Sequence, residues 1–232
     1  MDIQEYFTKL NAESQTVFEQ SIYQKETLGK LHHLSSCIYE MSNVLRDPQE
    51  KRILETVSAQ LESSNYSLIV GLYRQAFSSL RLALEMGLGA IYFSASKLEM
   101  HEWLDGRRDI KWSRIIDEDN GVYSKRFIMA FFPDLVDDAG EYRANAIGVY
   151  RKLSEYVHGN NETWINGSIK IMYKNELFEQ YCQYYKRVTE SILFAATCRY
   201  AKTFDDNERE SMQFLPEEFN HIEKIRELFG IS

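Results

Sequence analysis

The chain has 232 residues, 44% of them hydrophobic and 13% aromatic, which suits one compact domain or a domain with an appended helical hairpin. Its formal net charge of -8 excludes a protein that coats nucleic acid by bulk positive charge, so any hold on phosphates must come from a local cluster of cations. Only three prolines and eleven glycines interrupt the text, which predicts an all-α, multi-helix bundle and excludes an extended multi-stranded sheet.

Residues 14–46 place Phe18, Ile22, Leu28, Leu31, Ile38, Met41 and Leu45 close to a helical period and predict a helical run that Asp47-Pro48 ends. Asp47 suits an N-cap and Pro48 a first helical residue. A second helix is therefore predicted from there to about residue 63, with Ser63-Ser64-Asn65 as its break or bend. Residues 66–96 are apolar on nearly every side and predict the helix at the centre of the fold. The text turns irregular and charged from 100 to 119, with Asp105-Gly106 as a turn, and a short helix is predicted over 124–132, stopped by Pro133. Ala139, Tyr142, Ala146, Val149, Leu153 and Tyr156 then step by three or four residues and predict an amphipathic helix ending near His158-Gly159.

Asn166-Gly167, set between Thr163-Trp164-Ile165 and Ser168-Ile169-Lys170-Ile171-Met172, predicts one small β-hairpin. Leu177, Tyr181, Tyr184, Val188, Ile192 and Ala195 predict a long helix to about residue 204. Phe219, Ile222, Ile225 and Phe229 predict a last helix after Pro216, closed by Gly230. The chain so read has an N-terminal helical segment over 1–65, either within the same domain or appended to it, a helical domain over 66–204 and a C-terminal helix in 205–232.

No run of about 18 apolar residues occurs, and Arg74, Arg81 and Glu85 interrupt the most apolar stretch, 68–93. That stretch is read as a buried helix, and no membrane partner is expected. No basic leader precedes an apolar run at the N-terminus. Cys37, Cys182 and Cys198 are odd in number, the last two about 24 Å apart if they share one helix, so the expected compartment is a reducing cytoplasm. His33 and Cys37 have i,i+4 spacing without a second ligand pair, and no HExxH, P-loop or dinucleotide fingerprint occurs, so neither metal nor cofactor is expected.

Residues 150–160 read YRKLSEYVHGN. Arg151 and His158 are seven residues apart, which on a helix puts them on one face with about 20° of drift and about 10 Å of rise between them. A histidine can move a proton near neutral pH and a guanidinium can hold a phosphorane charge, so the pair has the chemistry for RNA cleavage by attack of the ribose 2′-OH. Ser154, on the same stripe, adds a hydrogen-bonding group. The structural reading of the same residues is an Arg151–Glu155 i,i+4 pair and a histidine suited to a helix C-terminus.

Arg81 and Glu85 are almost the only charges on the central apolar helix, which implies pairing, either with each other, with a neighbouring helix, or with Glu85 orienting Arg151 or His158. Arg107, Lys111 and Arg114, with Arg108 beside them, would align as a basic stripe on a helical turn. Trp103 and Trp112 nearby suit stacking on unpaired bases, so the stripe is either an RNA-contact patch or a solvated face.

The Arg–six residues–His spacing on a late helix of an all-helical chain resembles the HEPN superfamily, whose signature is Arg, four to six residues, then His. GVYRKLSEYVHGN and LYRQAFSSLRLALEMGLGAIYF also look like HEPN-like proteins of bacterial defence and abortive-infection loci. The resemblance covers about residues 66–204. It implies a HEPN-like bundle and a metal-independent endoribonuclease, a toxin or effector of antiphage defence, with Arg151 and His158 as catalytic residues. It also implies an RNA substrate, a homodimer or completion of the cleft by another subunit, and an antitoxin or sensor partner. Lys152 follows Arg151 where active members usually carry a polar residue such as Asn, Asp or His. Other branches of the superfamily are nuclease-inactive modules that bind a partner protein or a nucleotide.

Overall fold

The most apolar part of the chain forms α4 (Tyr73–Ala95), whose Ala76, Phe77, Leu80, Leu84, Leu88 and Ile91 are fully or almost fully buried. The computed structural model describes residues 2–159 and 171–231. In it α3 (Pro48–Ile69), α8 (Ala139–His158) and α9 (Asn175–Tyr200) pack against α4, and α2 (Lys25–Asn43) lies against α3 and α9. Short helices α5 (Lys97–Leu104), α6 (Trp112–Ile115) and α7 (Lys125–Phe131) connect α4 to α8, and α10 (Asp206–Ser211), α11 (Phe214–Glu218) and α12 (Glu223–Leu228) close the chain. The described residues contain no β-strand, and none of their helices is long and apolar enough to cross a membrane.

The helix ends follow from local chemistry. Asp47 accepts hydrogen bonds from the backbone N–H of Gln49 and Glu50, and Pro48 stands at the first helical position, where its missing N–H costs nothing. Lys97, at the start of α5, bridges Asp47 and the buried Glu50, and the Tyr200 hydroxyl donates to Glu50 at 2.8 Å. One cation thus ties the beginnings of α3 and α5 to the end of α9, and its hydrogen bond holds the Asp47 carboxyl below the usual carboxylate range. Between α3 and α9, Ser64, Asn65, Tyr181 and Tyr185 form a buried chain: the Tyr181 hydroxyl lies 2.6 Å from Ser64 Oγ and 3.0 Å from Asn65 Oδ1, and Asn65 Nδ2 donates to the Tyr185 hydroxyl. Ser64 Oγ also donates to the Ala76 carbonyl of α4, so three helices share one polar cluster.

Several boundaries differ from the periodicity. The run predicted over 14–46 is two helices, α1 (Ile3–Ser21) and α2, divided at Ile22-Tyr23-Gln24; α1 buries only Val17 and Ser21 and exposes Ile3 and Phe7. α3 passes through Ser63-Ser64-Asn65 without a break, since the buried Ser64 and Asn65 side chains are satisfied by α9 and Ser63 faces solvent. The break comes instead at Gly71, whose φ of 81° is left-handed. The predicted last helix is two, α11 and α12, with Pro216 inside the first and Phe219 and Ile222 buried in the turn between them. The predicted hairpin falls mostly on residues 160–170, outside the described residues, and Ile171 and Met172 beyond them are not in a strand. The buried side chains of α2 and α3 belong to the same core cluster as those of α4, α8, α9 and the C-terminal helices.

Gly71→Ala is expected to destabilise the fold by about 1–3 kcal/mol, because an L side chain is strained at this φ and its Cβ would meet Val17 Cγ1 at 3.1 Å and Ile171 Cγ2 at 3.0 Å. Urea unfolding measures this; an unchanged midpoint would mean that the turn between α3 and α4 relaxes freely.

Candidate functional site

The inward stripe of α8 is Ala139, Tyr142, Ala146, Val149 and Leu153, all buried, and it sets the opposite face toward solvent. That outer face carries Gly140, Ala144, Ile147, Gly148, Arg151 and His158, every one exposed. α8 ends where sequence periodicity placed it, with Gly159 left-handed at φ 65° and its N–H donating to the Glu155 carbonyl at 3.1 Å. Arg151 and His158 have no hydrogen-bond or ion-pair partner among the described residues. Lys152 lies 3.5 Å from Glu155, and Ser154 donates its hydroxyl to the Tyr150 carbonyl at 2.7 Å, so the serine is bound to its own helix.

Arg81 and Glu85 meet each other at 3.3 Å and are tied to α8 through Tyr150. Arg81 Nη2 donates to the Tyr150 hydroxyl at 2.7 Å, and that hydroxyl donates to Glu85 Oε1 at 3.1 Å. The guanidinium carbon is 4.7 Å from the centroid of the Tyr150 ring, and Trp112 of α6 stacks on the same ring at 3.9 Å and 5°. Arg81 Nε is buried without a hydrogen-bond partner among the described residues. Burial pushes the Tyr150 phenol above its usual range, the Arg81 hydrogen bond opposing. Glu85 therefore contacts the residue before Arg151 and neither Arg151 nor His158. No sequence signal pointed to Tyr150, because its partners lie 65 and 69 residues away.

The basic residues of the 107–114 segment do not share a helix. Arg107 and Arg108 follow the end of α5, Lys111 precedes α6 and Arg114 lies within it. Arg107 pairs with Asp105 at 2.8 Å, Arg108 with Glu102 at 2.8 Å and Arg114 with Glu99 at 3.2 Å, which neutralises three of the four cations. One face of Trp112 is covered by Tyr150, and Trp103 stacks on Phe93, so these rings serve the core.

Elsewhere, Cys37 Sγ lies 3.5 Å from His33 Nε2, which in turn lies 3.3 Å from Glu218. Burial, with Glu218 and Glu40 adding, pushes the Cys37 thiol up to about 12, and burial does the same to Cys182, so neither is a thiolate nucleophile near neutral pH. No group of three or more His, Cys, Asp or Glu side chains among the described residues is placed to hold a metal ion.

A further cation borders the face of α8. Arg74, near the start of α4, is exposed and donates its Nε to the Tyr156 carbonyl at 2.9 Å. In the sequence it shows only as a charge interrupting an apolar run. The hydrogen bond brings Arg74 to the last turns of α8, two residues before His158.

No protein-family model matches the chain, and no curated protein and no solved structure matches it.

Tyr150→Phe, which removes the hydroxyl from both Arg81 and Glu85, is expected to cost about 1–3 kcal/mol of stability. Arg151→Ala and His158→Ala, at exposed positions without partners among the described residues, should stay within about 0.5 kcal/mol of the parent. Denaturant midpoints compare the three, and a loss at Arg151 equal to that at Tyr150 would assign Arg151 to the fold.

Proposed function

We propose that this chain is a HEPN-like, metal-independent endoribonuclease that acts as a toxin or effector in bacterial antiphage defence, with Arg151 and His158 as its catalytic pair. The observation that carries the reading is that both residues are exposed on the outer face of α8 and unpaired among the described residues. A cation and an imidazole committed to the fold would have carboxylate or carbonyl partners. Arg81, Arg107, Arg108 and Arg114 all have them.

In the proposed reaction the ribose 2′-OH attacks the adjacent phosphorus and the 5′-oxygen leaves, producing a 2′,3′-cyclic phosphate. His158 serves as acid or base, and Arg151 holds the charge that develops on the phosphoryl oxygens. One copy is not enough, because the two residues are about 10 Å apart along a single helix. A two-fold axis crossing α8 midway between them brings each Arg151 opposite the His158 of a second copy. Beyond the pair, the outer face of α8 presents the small Gly140, Ala144 and Gly148 beside the exposed Ile147, an apolar side chain that such an approach would cover.

The second reading is a nuclease-inactive helical module that binds a partner protein or a nucleotide. Lys152 favours it, since it stands where active relatives carry Asn, Asp or His, and so does the net charge of -8.

Purified protein incubated with structured RNA in EDTA should cleave it, and Arg151→Ala or His158→Ala should slow cleavage by about 100-fold or more. Mixing the two variants and allowing the subunits to exchange should restore up to about a quarter of the parental rate, because half the dimers are mixed and one of their two sites is intact. Undiminished cleavage by both single variants would sink the mechanism; absence of any rescue on mixing would sink the shared site.

A further inference from the structure

An anion bound beside His158 faces an electrostatic obstacle. α8 ends there, and the C-terminus of a helix carries about half a negative charge on its last carbonyls. The Glu155 carbonyl accepts from the Gly159 N–H, and the Tyr156 carbonyl accepts from Arg74 Nε at 2.9 Å. Arg74 therefore places a full positive charge against the negative end of α8, within the turn that carries His158. A helix terminus that only needed a capping donor would be served by a neutral group or by water. A guanidinium adds a charge and has further donors to spare.

The guanidinium is also held in place. Tyr156, whose carbonyl it binds, stacks its ring on Phe77 of α4 at 3.9 Å and donates its hydroxyl to Gln180 of α9 at 2.7 Å. The anchor is fixed from two helices, and Arg74 is itself near the start of α4. Its two Nη groups have no hydrogen-bond or ion-pair partner among the described residues, so the planar end of the side chain remains available for two parallel hydrogen bonds to a phosphate. Arg81, two turns along the same helix, spends its Nη2 on Tyr150 and Glu85, and it does not offer this.

We propose that Arg74 is a positioning residue that neutralises the C-terminal end of α8 and holds a phosphate of single-stranded RNA next to the one cut at His158. This rests on the ribonuclease reading for its substrate but makes a separate claim, about binding.

The test uses the full chain carrying His158→Ala, so that the RNA stays whole, and a fluorescein-labelled single-stranded RNA of mixed sequence in EDTA. Anisotropy titrations over a series of salt concentrations are run for this protein and for versions that also carry Arg74→Gln or Arg74→Lys. Arg74→Gln should weaken binding several-fold and reduce the slope of log affinity against log salt by about 0.7, the loss of one phosphate contact to a single strand. Arg74→Lys should keep the slope, since it keeps the charge, which separates an RNA contact from a helix cap. Thermal midpoints of all three set the working temperature well below unfolding. Parental affinity and slope in Arg74→Gln would overturn the proposal, and in a cleaving parent they would leave the nuclease reading standing. An Arg74-dependent slope in a protein whose His158 parent never cleaves RNA would keep the Arg74 phosphate contact and overturn its place beside a scissile phosphate, together with the nuclease reading. Failure to bind RNA at any salt would remove both.

Discussion

Four buried polar side chains decide how the bundle is stacked. Ser64 and Asn65 of α3 face Tyr181 and Tyr185 of α9, and the Ser64 hydroxyl also reaches the Ala76 carbonyl of α4. Inside a dry core each of these groups costs free energy unless its partner is present, so the network works at one axial and rotational setting of the three helices. Apolar packing alone tolerates small slips along a helix; hydroxyls paired across an interface do not. With α3, α4 and α9 set in this way, the groove that receives α8 is defined, and so is the direction in which its other face looks.

Two charge clusters continue the same logic at the edges of the core. Lys97 joins Asp47 and Glu50, with Tyr200 completing the carboxylate, and this draws together the starts of α3 and α5 and the end of α9. Arg81, Glu85 and Tyr150 lock α4 to α8, with Trp112 laid over the tyrosine ring. Neither cluster is needed to form a helix. Both prescribe which helix lies beside which, because a half-buried charge that loses its partner is more costly than one never buried.

The electrostatic character of the α4 and α8 surface is a consequence. The chain carries eight more acidic than basic side chains, and its arginines in the 107–114 segment are consumed by Asp105, Glu102 and Glu99. Arg74, against the last turns of α8, and Arg151 and His158 on that helix have no carboxylate partners among the described residues. Net charge says little about such a place. Affinity for a phosphate is set within about a Debye length, by the cations that are not already neutralised.

Sequence by itself determined what depends on neighbours within about four residues. The period of Tyr142, Ala146, Val149 and Leu153 defined the buried stripe of α8, Gly159 its end, and Asp47-Pro48 the start of α3, because helix hydrogen bonds and caps are local. The same spacing places Arg151 and His158 on one face without any tertiary contact. Only the tertiary structure decided that Arg81 and Glu85 answer to Tyr150, that α3 runs on to Ile69, and that Arg107, Arg108 and Arg114 are spent on nearby carboxylates. Periodicity reports which way a side chain points from its own axis. It carries no information on which distant hydroxyl or carboxylate waits there, and that pairing separates a cation of the fold from a cation left for a ligand.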